Sequence, residues 1–135
     1  MKLSAVRDME REIEMTRNQL ESLRTSATNI TTKIDGLPRA KARSSKTERF
    51  AALIVDAENR LAELCNEYAA ASFALADEIN RRVHGKASEV LFWRYCMCKS
   101  FSDIAAELNY SKARIFQLHK QGKLEYERTE TDDKD

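Results

Sequence analysis

Hydrophobic positions recur every seven residues along the first part of the chain. Two interleaved sets keep this spacing. They are Val6, Ile13, Leu20, Ala27 and Ile34 in one set, and Met9, Thr16, Leu23 and Ile30 in the other. Apolar residues at this spacing form a narrow stripe along a helix, and such a stripe packs against one partner helix. The pattern therefore predicts a helix of about four heptads with one polar exception, Thr16.

A second stretch repeats the pattern after a clear interruption. Its two sets are Phe50, Ala57, Leu64 and Ala71, and Ile54, Leu61, Tyr68 and Leu75, continuing through Ile79 to Val83. The Asp35-Gly36-Leu37-Pro38 segment ends the first helix, since proline disfavours helix in the residue before it. Ser45 with Glu48 forms a capping box, and Gly85 is expected as the C-terminal cap of the second helix.

Two helices of similar length joined by a short loop favour an antiparallel arrangement. The spans are about 32 and about 36 residues, or roughly 50 Å each. We therefore predict an all-α protein in which residues 1–84 form a long antiparallel coiled-coil helical hairpin with a loop at 35–46. The same seams can instead pair between two chains, which would give a homodimer, and the pattern leaves both arrangements open.

The pattern changes to two short helices near the C-terminal end, over residues 100–122. Ser100 is followed three residues later by Asp103, which is typical of a helix start, and Asn109 tolerates the left-handed backbone of a turn. Ser111 can cap the next helix. The inward positions are Ile104, Ala105, Leu108, Ile115 and Leu118. This spacing predicts a small helix-turn-helix domain over residues 85–128.

The outer face of the second short helix carries side chains that suit nucleic acid. No acidic residue lies between Lys112 and Lys123. Amide and basic side chains bind phosphates and read base edges. We expect Lys112 and Gln117 to contact base edges, and Ser100, Ser111, Arg114 and Lys120 to contact phosphates. The candidate DNA-binding residues are Ser100, Ser111, Lys112, Arg114, Gln117, Lys120 and Gln121.

Residues 90–121, VLFWRYCMCKSFSDIAAELNYSKARIFQLHKQ, carry a resemblance to a known family. They resemble region 4 of the sigma-70 family and the related domains of small phage and mobile-element regulators. The shared residues are Leu91, Arg94, Tyr95, Ser100, Ile104, Ala105, Leu108, Ser111, Ile115 and Leu118. From Leu37 onward the chain also looks like a small family of phage proteins from Gram-positive bacteria, over roughly 85 residues.

The resemblance implies a transcriptional role through a DNA-reading helix. Lys112 and Gln117 match positions that face bases, and Arg114 matches a basic position near the DNA backbone. Phe116 departs from the sigma pattern because an arginine is common there, and Lys112-Ala113-Arg114 lacks the usual acidic residue. Promoter −35 specificity is therefore not implied. Sigma region 4 also binds RNA polymerase, so RNA polymerase is a second candidate partner.

Composition supports helices and adds two charged segments. The chain has 3 Gly, 1 Pro and 33% charged residues, which favours long helices over turns and sheets. Its formal net charge is only +1, although charge is unevenly distributed. The basic loop residues Arg39, Lys41 and Arg43 are candidate accessory nucleic-acid contacts, or else a solvated loop. The acidic tail, residues 129–135, is predicted to be disordered.

No arrangement of residues favours catalysis. Cys65, Cys96 and Cys98 lack the spacing of a zinc site, His84 and His119 do not complete one, and no glycine loop suits a phosphate. We expect no enzyme activity, no cofactor, no metal and no membrane span. An odd cysteine count without an apolar leader favours the cytoplasm.

The expected function is therefore a sequence-specific, DNA-binding transcriptional regulator of phage or mobile-element origin. In that role double-stranded DNA is the partner, and a dimer would read two half-sites. The alternative is a protein-interaction module that binds RNA polymerase or another transcription factor through its sigma-like head. A coiled-coil scaffold with a purely structural head is the third interpretation.

Overall fold

The computed structural model describes residues 1–34 and 40–133, with side chains over 1–29 and 46–129. Over these residues the chain forms five α-helices and no strand, which confirms the all-α prediction. The helices are α1 Ala5–Ile34, α2 Ala40–Arg82, α3 Lys86–Leu91, α4 Phe101–Leu108 and α5 Lys112–Asp133. A π-helical turn, Phe92–Cys96, continues α3.

The chain divides into two compact units. One, which we call the head, combines Met1–Asp8 with Tyr68–Asp135, and the other comprises Met9–Glu67. The head therefore includes the first turn of the chain and the last part of α2. This division differs from the predicted boundary between residues 84 and 85, because that prediction followed the end of the heptad pattern rather than packing.

In the unit Met9–Glu67, burial follows the seven-residue spacing. Ile13, Leu20 and Leu64 are buried. Positions of the same repeats that are half-buried are Leu23, Ala27, Phe50, Ile54, Ala57 and Leu61. Thr16, the polar exception, is buried too, and its hydroxyl donates to the Glu12 carbonyl oxygen at 2.9 Å. This bond satisfies the buried hydroxyl, so threonine is tolerated in the stripe.

Two ion pairs join α1 to α2 within this unit. Arg24 contacts Glu58 at 2.9 Å, and Arg60 contacts Glu12 at 2.8 Å. These pairs are about half exposed, so each contributes at most about 1 kcal/mol. The antiparallel coiled-coil hairpin itself stays a prediction.

The boundaries of α2 correct three expectations. The helix begins at Ala40, so Lys41, Arg43 and Ser45 belong to a helix rather than to a loop over 35–46, and Ser45 is not a cap. The alternating Ala, Lys and Arg residues of this stretch are strong helix formers, which outweighs the capping signal. Residues 35–39 of the predicted loop, including Arg39, lie outside the described residues.

The connection between α2 and α3 also differs from expectation. α2 ends at Arg82, although the Val83 N–H still donates to the Ile79 carbonyl oxygen at 2.8 Å. Gly85 is the N-cap of α3 rather than the C-cap of α2. It has φ 70° and ψ −149°, a backbone conformation that is open mainly to glycine. Glycine thus allows the chain to turn between the two helices.

Candidate nucleic-acid interface

The head has a small core formed by α3, the π-helical turn, α4 and α5. Its fully buried side chains include Leu91, Ile104 and Ile115, and Ala105 and Leu118 are buried beside them. Ile104, Ala105, Ile115 and Leu118 were predicted as inward positions, and the fifth predicted position, Leu108, is half-buried. α5 contacts both α3 and α4, so its remaining faces are positioned by this core.

Three short-range features fix the turn between α4 and α5. Ser100 is the N-cap of α4, and its hydroxyl oxygen accepts the Asp103 N–H at 3.2 Å. Asn109 adopts the left-handed conformation, with φ 58° and ψ 41°. The Ser111 hydroxyl oxygen accepts the Arg114 N–H at 3.2 Å at the start of α5. These features confirm the predicted caps and the left-handed turn residue, and the phosphate contacts of the two serines stay a prediction.

The predicted DNA-reading side chains lie together on the outer side of α5. All five are exposed, namely Lys112, Arg114, Gln117, Lys120 and Gln121. Ile115 and Leu118 are buried on the opposite side of the same turns. The Arg114 guanidinium lies 3.5 Å from the Gln117 Oε1, a weak contact that leaves the amide N–H groups of Gln117 available. We call this surface the α5 face.

An aromatic cluster borders the α5 face. The Phe101 ring lies 4.9 Å from Phe116 and 5.0 Å from His119, measured between ring centroids. The Arg94 guanidinium lies 4.2 Å from the Phe101 centroid and donates to the Lys99 carbonyl oxygen at 3.1 Å. Such contacts hold a guanidinium without neutralising it. Phe116 keeps 50% of its surface exposed, so the cluster continues to the outside of the head.

His119 packs inward from α5 against Tyr95. The Tyr95 hydroxyl lies 2.7 Å from His119 Nε2, and the two rings stack with centroids 5.7 Å apart. Burial lowers the pKa of His119, and the nearby Lys123 and Arg94 lower it further. His119 is therefore mainly neutral at pH 7. The tautomer of its imidazole sets which of Tyr95 Oη and Nε2 donates in their hydrogen bond. Packing occupies this imidazole, so we do not assign it to DNA.

Gly122 lies inside α5 and is a residue that sequence reasoning did not assign. A Cβ atom there would lie 3.1 Å from the Leu91 Cγ and 3.2 Å from both the Cβ and the carbonyl oxygen of Ala87. α5 thus crosses α3 at close range, which only glycine allows without displacement. Glycine inside an otherwise helical pattern is the signal that could have indicated this crossing.

The C-terminal half of α5 packs against the end of α2. Tyr126 is buried, its hydroxyl lies 2.7 Å from a Glu78 carboxylate oxygen, and the Arg82 guanidinium lies 4.9 Å from its ring centroid. The Thr129 hydroxyl lies 2.7 Å from the Glu125 carbonyl oxygen. α5 continues to Asp133, so most of the predicted disordered tail at 129–135 is helical. Buried Tyr126 outweighs the acidic composition that favoured disorder.

Other predicted features are only partly placed. The side chains of Lys41 and Arg43 lie outside the described side chains, so their accessory role is not tested. Trp93 is half-buried, lies edge-on to Phe92 at 5.9 Å, and lines a groove with Lys99 and Glu107. Burial raises the pKa of the Cys96 thiol to about 11, which keeps it protonated and unreactive at neutral pH.

Further searches bear on metals, membranes and known proteins. Within the described residues no group of His, Cys, Asp or Glu side chains is placed to hold a metal ion. None of the described helices is long and apolar enough to span a membrane. Comparisons with protein-family models, curated proteins and solved structures found no match. The interpretation of the head therefore depends on its own geometry.

Proposed function

We propose that this protein is a sequence-reading, DNA-binding transcriptional regulator of the kind found in phages and mobile elements. The supporting observation is the α5 face, on which basic and amide side chains are exposed together above a buried core. A helix supported in this way can enter the major groove, which is about 12 Å wide. Two capped helices joined by a tight turn provide that support.

In this proposal the residues of the α5 face have separate roles. Gln117 pairs with an adenine edge, for which its free amide N–H groups are suited, and Lys112 addresses guanine acceptors. Arg114, Lys120 and Gln121 contact phosphates and set the register, together with Ser100 and Ser111 at the helix starts. Base contacts give specificity, whereas phosphate contacts give affinity that depends on salt.

Charge on the head supports this orientation. The exposed side of α4 carries the acidic residues Asp103 and Glu107, which line the groove beside Trp93. The α5 face carries Lys112, Arg114 and Lys120 without a carboxylate among them. The α5 face therefore attracts a polyanion more strongly than the exposed side of α4 does.

Dimerisation is part of the proposal, since paired heads would read two half-sites about one DNA turn apart. Within one chain, the heptad positions of the unit Met9–Glu67 are already buried or half-buried. Sedimentation equilibrium of the full chain would test the dimer. A mass of one chain at micromolar concentration would exclude the dimer. Each DNA site would then be bound by a single head.

The experiment that tests the function is selection of bound duplexes from a random DNA pool. We expect enrichment of a motif by the full chain, with binding that weakens steeply as salt increases. The matched control is a variant with Lys112→Glu and Lys120→Glu, which keeps the buried core but reverses charge on the α5 face. Equal recovery of all sequences, or enrichment that persists in this variant, would contradict the proposal.

One observation favours the alternative of a protein-interaction module. Phe116 is half exposed and is supported by Phe101 at 4.9 Å, an arrangement that suits an anchor in a protein interface. RNA polymerase or another transcription factor would be the partner. The protein-interaction module would be supported if the chain binds purified bacterial RNA polymerase independently of salt, if Phe116→Ala abolishes this binding, and if no DNA motif is enriched.

A further inference from the structure

The first turn of the chain lies in the head, beside the residues that border the α5 face. Leu3 and Val6 are buried, and both belong to the same compact unit as α3, α4 and α5. The Tyr126 hydroxyl also donates toward the Met1 carbonyl oxygen. These contacts fix the positions of Lys2 and Arg7 relative to α5, although both residues precede the start of α5 by more than a hundred residues.

A cavity opens between this first turn, the π-helical turn and α5. It has a volume of about 250 Å³, and its lining residues are Lys2, Leu3, Ser4, Tyr95, Lys123, Tyr126 and Glu127. The space could hold several water molecules at about 30 Å³ each. The lining thus combines two lysines and one carboxylate with apolar and aromatic side chains.

Two arginines are next to residues that line this cavity. Arg7 follows Leu3 and Ser4 by one helical turn, and Arg94 directly precedes Tyr95. The electrostatic effects agree with this placement, since burial raises the pKa of Tyr95 while Arg94 and Arg7 act in the opposite direction. Burial also lowers the pKa of Arg94, and the nearby charge of Arg7 lowers it further. Arg94 is held in place by the Phe101 ring and the Lys99 carbonyl oxygen, neither of which carries a negative charge.

The charges around the cavity are therefore unequal in sign. Among the described residues that line it or adjoin its lining along the first turn and the π-helical turn, the cations are Lys2, Arg7, Arg94 and Lys123, and the carboxylates are Asp8 and Glu127. We call these four cations the basic rim. An excess of positive charge on one surface attracts a polyanion more strongly than an isolated lysine does.

The basic rim borders the α5 face. Lys123 follows Lys120 by three residues and His119 by four, so it lies on the side of α5 that turns toward Tyr95 and Phe101. The phosphates of a duplex run along both edges of the major groove. If α5 lies in the major groove with its α5 face toward the bases, one of these phosphate backbones lies near Lys123 and Arg94.

We propose that the basic rim binds the phosphodiester backbone beside the groove that α5 reads, so that the first turn of the chain is part of the DNA interface. This inference depends on the proposed DNA-binding function and extends it to residues far from α5 in sequence. In this arrangement the rim contacts the backbone and not the base edges, so it adds affinity on every sequence and no preference among sequences.

The test measures the salt dependence of duplex binding for full-length Arg7→Gln, Lys123→Gln and their double variant. Each lost phosphate contact should reduce the magnitude of the slope of log K against log salt by about 0.9. The affinity deficit of the variant relative to wild type should therefore be about eightfold larger at 0.1 M than at 1 M salt. The selected duplex and a duplex of unrelated sequence should lose the same factor. The double variant should lose twice the slope.

Two controls separate the possible failures. Arg17→Gln removes an exposed arginine of α1 that is not part of the rim, and it should leave the slope unchanged. Gln117→Ala should lose the motif but keep the slope. If wild type reads a motif while the rim variants bind with an unchanged slope, the rim inference is wrong and the DNA-binding function stands. If wild type binds no duplex, the function itself fails and the rim inference fails with it.

Discussion

The hydroxyl oxygen of Tyr95 lies 2.7 Å from Nε2 of His119, and their rings stack with centroids 5.7 Å apart. The pair links the π-helical turn to the middle of α5, where His119 directly precedes Lys120 and Gln121 of the α5 face. Because the imidazole is neutral and half-buried, it acts as a packing element between cations rather than as a ligand.

Titration of His119 should make the head less stable in mild acid. Its pKa is lower in the folded chain than the ordinary value of 6.5, so the unfolded chain binds the proton more readily. Stability is therefore full above about pH 6.5 and falls as pH decreases toward the lower folded value. Urea unfolding followed by Trp93 fluorescence at pH 7.5 and at pH 5.5 measures this difference.

The matched control for this prediction is His119→Gln, which keeps a polar side chain but does not titrate. We expect this variant to lose less stability than wild type between the two pH values. An equal loss in both proteins would assign the effect to another group. Tyr95→Phe tests the bond itself, and its removal should cost about 1 kcal/mol at pH 7.5.

The crossing of α3 and α5 at Gly122 should not accept a methyl group. Alanine would gain about 1 kcal/mol of helix propensity, but its Cβ would lie 3.1 Å from Leu91, which is fully buried, and 3.2 Å from the Ala87 backbone oxygen. Neither neighbour can move freely, and overpacking of a core costs about 1–3 kcal/mol. We expect Gly122→Ala to lower the free energy of unfolding by about 1 kcal/mol.

A double-mutant cycle isolates this contact. Ala87→Gly removes the Cβ that Gly122→Ala would meet, so the double variant should recover part of the loss as a favourable coupling. Lys120→Ala, on an exposed position of the same helix, is the control for general substitution effects. A stabilised Gly122→Ala would show that propensity exceeds the steric cost at this crossing.

Local sequence signals predicted the head well where they act over a few residues. Ser100, Asn109 and Ser111 each have the conformation or bond that their side-chain chemistry favours, and the described heptad positions of α1 and α2 are buried or half-buried. Such features depend on hydrogen bonds and periodicities within one element. They can therefore be recognised without knowledge of the fold.

Features that join distant parts of the chain were not predictable in the same way. Tyr126 and Glu78 lie 48 residues apart, and no local pattern indicates the contact between them. The burial of Leu3 and Val6 in the head also depends on tertiary packing. Gly85 shows a third limit, since a glycine between two helices can serve the end of one or the start of the next.

Ser111 should act first as a cap and second as a phosphate contact. Its oxygen accepts the Arg114 N–H, so Ser111→Ala should cost about 1 kcal/mol of stability. Ser111→Asp keeps the cap, because a carboxylate accepts the same bond, but it places a negative charge where a phosphate is proposed to lie. We expect Ser111→Asp to fold stably and to bind duplex DNA much more weakly than wild type.

Thermal unfolding and duplex binding measured on the same samples check this prediction. Ser102→Asp, at an exposed position within α4, controls for the added charge. If Ser111→Asp bound DNA as tightly as wild type, the start of α5 would lie away from the phosphates, and the proposed entry of this helix into the groove would be wrong.

Gln117 and Lys120 should divide specificity from affinity on the α5 face. Gln117→Ala removes an amide that can pair with an adenine, so it should cost about 1–3 kcal/mol on the selected motif and almost nothing on an unrelated duplex. Lys120→Ala removes a point charge, so it should weaken all duplexes alike and reduce the salt slope by about one. Both side chains are exposed, hence neither change should unfold the head. Fluorescence anisotropy on both duplexes across a salt series distinguishes the two effects. Equal losses of affinity from both variants on both duplexes would contradict the separate roles. That outcome would mean that Gln117 and Lys120 both contact the backbone, since a backbone contact contributes equally on every sequence.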